Sequence, residues 1–475
     1  MTDQPALPRD EVLARLDGLR ARDLPTHGGR TLSYVYDSGL AEADAVGLEA
    51  LAMFAATNGL DPTAFPSLLA METDLVRWAG RLLDAPAGFA GSVTSGGTES
   101  LLLAVLAARN GAPEVADPSM VLPTTAHAAF HKAAHYFGVR PVLVDVDPAT
   151  YRADPAAMAR AVDETTVLVA ASAPSYAHGV IDPVPEVAAV AAERGIRCHV
   201  DACIGGWVLP YLDGVAPWTF AVDGVTSVSV DLHKYGYTPK GVSILVHRSA
   251  ALRKSHYFAS ADWPGYTMLN STLQSTKSGG PLAAAWAVAH AIGDDGYRRL
   301  VALAREATLA LADAARGIPG VAVVAEPDST LLTLTTDDSC DVYTIADEML
   351  VRGWFVQPQM GYRGMPPTLH LTLSAATAAS VPDFVAALRE AVAAAQGAGP
   401  VQVAPELAVA ATALDPATLD DGAFDGLLAV AGLAGDDGGL ALPERMAPVN
   451  ALLDVAPPRL REALLLAFLD RLTRP

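Results

Sequence analysis

The residues with the most chemistry to offer stand in DLHKYGYTPKG, residues 231–241. A valine-rich apolar run ends there and delivers His233 and Lys234 side by side, with Lys240 six positions beyond Lys234. A lysine amine at a strand end, in a partly dry pocket, loses some preference for its charged form. It can then attack a carbonyl and form a Schiff base. The neighbouring histidine can donate to a phosphate. A solvent-facing lysine would do neither, so the stretch takes its meaning from its surroundings.

Three other stretches supply those surroundings. In GSVTSGGTES (91–100), Gly96, Gly97 and Thr98 run straight into a helix. Glycines let the backbone come close to a ligand, and the first N–H groups of the helix favour an anion. The stretch is neither GxxxxGK[ST] nor GxGxxG, and a glycine-rich helix start is often purely structural. In HVDACIGGW (199–207), His199 and Asp201 fall near the carboxyl end of a strand. Ligands of open α/β sheets bind at such ends. An aspartate there can hold a protonated ring nitrogen, a cation or a metal, or merely cap a turn. In HAAFHKAAHYFG (127–138), His127, His131 and His135 are four apart and share one helical face. They span about 12 Å of helix, too far for one ion, and no HExxH occurs. No metal site is expected; His127 is placed at the sheet edge, and His131 and His135 on the surface. Together these parts make an anion seat, a flat ring, a carboxylate and a nucleophilic lysine. That is the set needed to hold pyridoxal phosphate.

The elements that position them alternate. MVLPTT (120–125), PVLVDVD (141–147), TVLVAAS (166–172), IRCHVDA (196–202), VTSVSVD (225–231) and VSILVHR (242–248) read as short buried strands. Alanine-rich helical stretches such as 155–163 and 185–194 lie between them, which predicts an α/β sheet, largely parallel. Residues 9–22 read as a short amphipathic helix and 40–56 as a longer one. Beyond about 300 a helix (297–316) leads into VAVVAE, STLLTLTT, RGWFVQ and LHLTLS, a smaller α+β domain. Residues 396–445 read as loop or linker, and 457–472 as a last amphipathic helix. The domains expected are 1–57, 58–300, 301–395 and 396–475.

Composition narrows the function. The 475 residues carry a net charge of -21, which gives nucleic acid and anionic membranes no basic face. No run reaches the ~18 apolar residues of a membrane helix, and the first residues lack a signal-peptide pattern. A cytoplasmic location is expected. Cys198, Cys203 and Cys340 form no CxxC pair and read as buried reduced thiols.

The stretches GSVTSGGTES, TAHAAFHKAAHYFGVR, HGVIDPVPEVA, HVDACIGGW and DLHKYGYTPKGVSIL, in that order, resemble the sphingosine-1-phosphate lyase-like members of the group II decarboxylase family. The likeness runs from about residue 30 to 395. It implies a fold-type-I pyridoxal-phosphate transferase-like architecture: a mostly parallel central sheet flanked by helices, plus a smaller α+β C-terminal domain. It implies that Gly96, Gly97, Thr98 and His233 hold the cofactor phosphate. His127 would stack on the ring, Asp201 pair with its nitrogen, Ser172 lie near its oxygen, and Lys234 form the Schiff base. Lys240 and Tyr36 would help with a substrate phosphate. The family's Gly-Ser-Arg segment, which reaches the neighbouring protomer's site, reads Ser275-Thr276-Lys277 here, so Thr276 would serve the other site of a homodimer. Two further positions depart from the family: Asp61 stands where a histidine is expected, and Met268 where a tyrosine is. The implied activity is carbon–carbon cleavage of a small amino substrate. Amino-acid decarboxylation is the alternative, and a non-catalytic relative the third reading.

Overall fold

The computed structural model describes residues 6–430, 433 and 443–474. Its centre is a seven-stranded sheet in the order β1-β7-β6-β5-β4-β2-β3. The strands are β1 (Ala90–Thr94), β2 (Ser119–Pro123), β3 (Arg140–Val144), β4 (Thr166–Ser172), β5 (Arg197–Asp201), β6 (Ser227–Asp231) and β7 (Ser243–His247). β3, β2, β4, β5 and β6 run parallel; β7 is antiparallel to both β6 and β1. Every residue of β1, β2, β4, β6 and β7 is buried. A sheet covered on both faces needs continuous apolar strands, not alternating ones, and the valine-rich runs supply them. β1 was not marked by the sequence, because Gly91 and Ser92 dilute its apolar signal.

Helices Gly97–Asn110, Ala129–Phe137, Pro155–Ala161 and Val184–Arg194 link the parallel strands. Their ends follow local chemistry. Asp154 accepts from the Ala156 and Ala157 amides, while Gly138 and Gly195 close their helices in the left-handed conformation. The hairpin of β8 (Phe258–Ser260) and β9 (Met268–Asn270) follows β7. The helix expected at 297–316 is the second half of a run, Gly279–Arg316, broken at Gly293 where φ is 63° and ψ 171°.

The smaller domain is an antiparallel sheet, β10-β11-β13-β12, made of β10 (Val321–Val323), β11 (Leu331–Thr336), β12 (Gln357–Gln359) and β13 (Thr368–Thr372). The N-terminal segment joins this domain. The Leu32 amide donates to the Phe355 carbonyl at 2.9 Å, and the Thr372 amide to the Leu32 carbonyl at 2.7 Å. Leu32 is fully buried in the small-domain core.

One expectation is corrected. Much of the region read as loop, 396–445, is helical: the helix Val381–Ala398 runs into it, and Pro405–Ala413 and Asp421–Val430 follow. Residues 431, 432 and 434–442 lie outside the described residues. Its aspartates cap helical turns instead of breaking them, Asp415 toward the Ala417 amide and Asp420 toward Ala423. Helices Ala447–Val455 and Pro458–Thr473 complete this end, the second as expected. Asp347 fastens it to the small domain by accepting from the Met446 and Ala447 amides at 3.0 and 2.8 Å. At the other end, helix Arg9–Leu19 buries none of its residues. Among the described residues, no helix is long and apolar enough to cross a membrane.

One glycine ties the sheet to the loops above it. A Cβ at Gly205 would stand 2.0 Å from the Ala173 carbonyl oxygen, which is backbone and cannot yield. Gly205→Ala is expected to cost at least ~1–3 kcal/mol, seen as a lower midpoint in thermal unfolding by circular dichroism.

Candidate active site

The carboxyl ends of the parallel strands converge on a cavity of about 190 Å³. Gly97, Thr98, His127, Asp201, His233 and Lys234 all line it. A second cavity of about 440 Å³ opens beside it, shares His127, His233 and Lys234, and adds Tyr36 and Lys240. Eight of the residues singled out in the sequence thus meet in one place. Gly96 is adjacent, its absent side chain leaving 3.6 Å to the His233 ring. Ser172 ends β4 beside Asp201, where its amide donates to Asp182, but it lines neither cavity. Thr276 is exposed and lines neither cavity.

The glycine turn is built for close approach. Helix Gly97–Asn110 has no side-chain cap, so its first amides are left for a ligand. A Cβ at Gly97 would meet the Asp231 carboxylate at 2.7 Å and the Cys203 sulfur at 2.8 Å, so only glycine fits. His127 is oriented by its own chain. Its Nδ1 accepts from the Ala129 amide at 3.1 Å, which puts the proton of the neutral ring on Nε2. Asp201 accepts the Cys203 amide on Oδ1 at 3.1 Å. Buried His233 Nδ1 has no protein partner, a donor or acceptor left for a bound group. His199, two residues before Asp201, is a core residue, bonded to the Ser227 and Ser229 hydroxyls at 2.8 and 3.1 Å. Burial pushes its pKa down to about 4.

The charge on Lys234 differs from expectation. Burial does oppose its ammonium form. The Asp231 carboxylate, 2.9 Å from Nζ, more than offsets this with help from Asp201, and the pKa goes up. Asp231 is itself disfavoured as an anion by burial, yet Lys234, His233 and the Ser243 hydroxyl hold it ionised. Lys240 behaves as Lys234 was expected to. Burial and the repulsion of Lys234 bring it down to about 8. Its Nζ donates to the Tyr34 and His233 carbonyls at 2.8 and 3.2 Å and sits 5.0 Å from the Tyr36 ring centre.

Several site residues escaped the sequence reading. Asp231 stood in the quoted stretch, three residues before Lys234, and its spacing was a usable signal. Tyr176 lines both cavities, stacked at 4.0 Å on His370 with its hydroxyl 3.2 Å from Ser33. Gln357 and Gln359 reach the second cavity from β12. Nothing local marks these three, since only tertiary contact brings them in.

The family departures have local explanations. Lys277 Nζ pairs with Glu72 at 2.6 Å, so its charge is answered within the chain. Asp61 is exposed and shapes a turn, accepting the Thr63 amide and hydroxyl at 2.8 and 2.6 Å, which lowers its pKa. Met268 starts β9 in the hairpin.

The chain is also similar to known proteins. The profile of the pyridoxal-dependent decarboxylase conserved domain matches residues 33–332. That of a pyridoxal-dependent enzyme C-terminal putative HTH domain matches residues 405–471. Sphingosine-1-phosphate lyase of Dictyostelium discoideum is 37% identical over 332 residues, 69% of this chain and 62% of that protein. The Arabidopsis thaliana enzyme is 34% identical over 396 residues, 80% of this chain and 72% of the relative. The chain thus spans 62% of the Dictyostelium protein and 64% of the Rattus norvegicus one, under two thirds of each. The solved structure of Burkholderia pseudomallei K96243 sphingosine-1-phosphate lyase superposes with a TM-score of 0.79 at 33% identity, covering 84% of this chain and 93% of that one. Lactobacillus brevis glutamate decarboxylase superposes at 0.75 with 20% identity over 85% and 96%, a likeness of fold. The chain therefore belongs to the pyridoxal-dependent decarboxylase family, in its sphingosine-1-phosphate lyase-like branch, with pyridoxal phosphate as cofactor.

Proposed function

We propose that the protein is a carbon–carbon lyase that cleaves a β-hydroxy amine phosphate to an aldehyde and an amino phosphate. The observation that carries this reading is Lys240, a second cation facing the cavity that Lys234 opens onto. Bound pyridoxal phosphate would supply an aldehyde carbon for an amine and a ring that draws electrons from the bond next to it. The first amides of helix Gly97–Asn110, Gly96, Thr98 and His233 would hold its phosphate. Asp201 would keep its ring nitrogen protonated, His127 lie against the ring, Ser172 stand near its oxygen, and Lys234 be the covalent anchor. Lys240 and Tyr36 would hold the substrate phosphate. In cleavage the β-hydroxyl loses its proton and becomes the aldehyde, and the α carbon takes up a proton as the bond between them breaks.

The protein acts in this reading as a cytoplasmic homodimer, with exposed Thr276 serving the second copy's cofactor. Its three free cysteines are all buried, which suits a reducing compartment. Nucleic acid is not a partner. Residues 405–471 hold eleven Asp and Glu against four Arg and no Lys, so the HTH-like end offers no cationic face.

Three measurements test these assignments. A β-hydroxy amine phosphate and a panel of α-amino acids are assayed for aldehyde and carbon dioxide. Aldehyde from the former supports the lyase, whereas carbon dioxide as sole product assigns a decarboxylase. Because Lys240 loses its proton near pH 8, the KM for the phosphate substrate is expected to climb as pH passes 8. The phosphate itself is already doubly charged there. Lys240→Arg, always charged, should flatten that climb. Gly97→Ala should weaken cofactor binding at least ~tenfold in a fluorescence titration while the circular dichroism spectrum is kept, since the new methyl would push on the Asp231 carboxylate and the Cys203 sulfur that line the cofactor cavity.

A further inference from the structure

We propose that Asp231 is the positioning carboxylate of Lys234: it anchors the lysine amine from the sheet and favours the proton on it. β6 ends at Asp231, and the turn that follows brings Lys234 back over it, with Nζ 2.9 Å from Oδ2. The other oxygen is clamped from the neighbouring strand. The Ser243 hydroxyl donates to Oδ1 at 2.6 Å, and Ser243 is the register partner of Asp231 across β6 and β7. His233 Nε2 stands 3.7 Å from Oδ2. The Asp231 side chain is only 1% exposed. So dry a carboxylate persists as an anion only when paired, and its partner is the one amine the chemistry needs. The room for it comes from Gly97, where any side chain would strike both carboxylate oxygens. The glycine that opens the anion seat thus also houses the carboxylate.

The other groups facing Lys234 do not replace Asp231. Asp201 and Cys203 come from the end of β5, Tyr36 from the N-terminal segment, and His233 and Lys240 from the loop after β6. His127 and Tyr176 close the cavity from β2 and β4. Burial pushes the Tyr36 hydroxyl and Cys203 thiol up, so both stay neutral. Lys240 repels the ammonium, and burial lowers the pKa of His233. Among the described residues, Asp231 is the carboxylate in ion-pair contact with Nζ.

This inference rests on Lys234 being the covalent anchor, and it makes a claim that turnover does not read. Wild-type and Asp231→Asn holoenzymes are titrated from neutral to alkaline pH by the visible band of the lysine-bound cofactor. The transition should fall by about one unit or more in the variant. In parallel the full-length protein, stripped of cofactor, is treated with cyanate, and carbamylation of Lys234 is read by peptide mass spectrometry. Asp231→Asn should react about tenfold faster at neutral pH for each unit lost. An unchanged transition and an unchanged cyanate rate would overturn the proposal. Should Asp231→Asn not fold, Ser243→Ala must give a smaller shift in the same direction, and an unmoved titration in that variant overturns it equally. Failure of the anchor assignment shows separately, as a lysine-bound band that survives in Lys234→Ala.

Discussion

A sheet buried on both faces has nowhere to put polar chemistry except the ends of its strands. Five of the seven strands here are buried at every residue, and the polar groups that matter crowd at one edge. Asp201 and Asp231 are the last residues of β5 and β6; Gly97, His127 and Lys234 follow β1, β2 and β6 within a few positions. Because β2, β4, β5 and β6 run the same way, those ends face the same side. The site is therefore a consequence of the fold's direction, and each catalytic candidate needs only a short turn to reach it.

That crowding raises the question of how so many charges share a dry place. They do so by local pairing. Lys234 meets Asp231, and Lys277 meets Glu72, each inside 3 Å. Lys240 is different. Among the described residues it contacts carbonyl oxygens and a ring face but no carboxylate. Carbonyls satisfy an ammonium's hydrogen bonds without cancelling its charge. In a chain of net charge -21, such an unanswered cation in a pocket is where an anionic substrate group gains most.

Much of this was legible in the sequence, for a physical reason. Strand-end residues sit next to apolar runs, so Asp201 and Lys234 carry a local marker, and the glycine turn marks the start of its helix. His127 was marked in the same way, and family likeness then added Tyr36 and a role for Lys240. What stayed hidden depends on contacts across the chain. Tyr176 follows β4 but owes its place to Ser33 and His370. The charge of Lys234 was misjudged because burial was considered without Asp231, whose Coulomb attraction reverses its effect at this distance. The region after 396 was misread because aspartate and proline count as breakers until they are seen capping helices.

A glutamate decarboxylase shares this fold at 20% identity, so the fold alone does not set the activity. The second cavity draws on more distant parts of the chain. Two segments far apart in the chain form its outer wall: Tyr34 and Tyr36 from the N-terminal stretch, and Gln357 and Gln359 from β12. They are one structural unit, because Leu32 and Phe355 join them by backbone hydrogen bonding and the Tyr34 hydroxyl bonds Gln357. The same tyrosines also touch the large domain: the Tyr36 ring lies 5.0 Å from that of Tyr235, and the Lys240 amine donates to the Tyr34 carbonyl at 2.8 Å. The wall of the second cavity is thus shared between the two domains, while Asp201, Asp231 and Lys234 all belong to the large one.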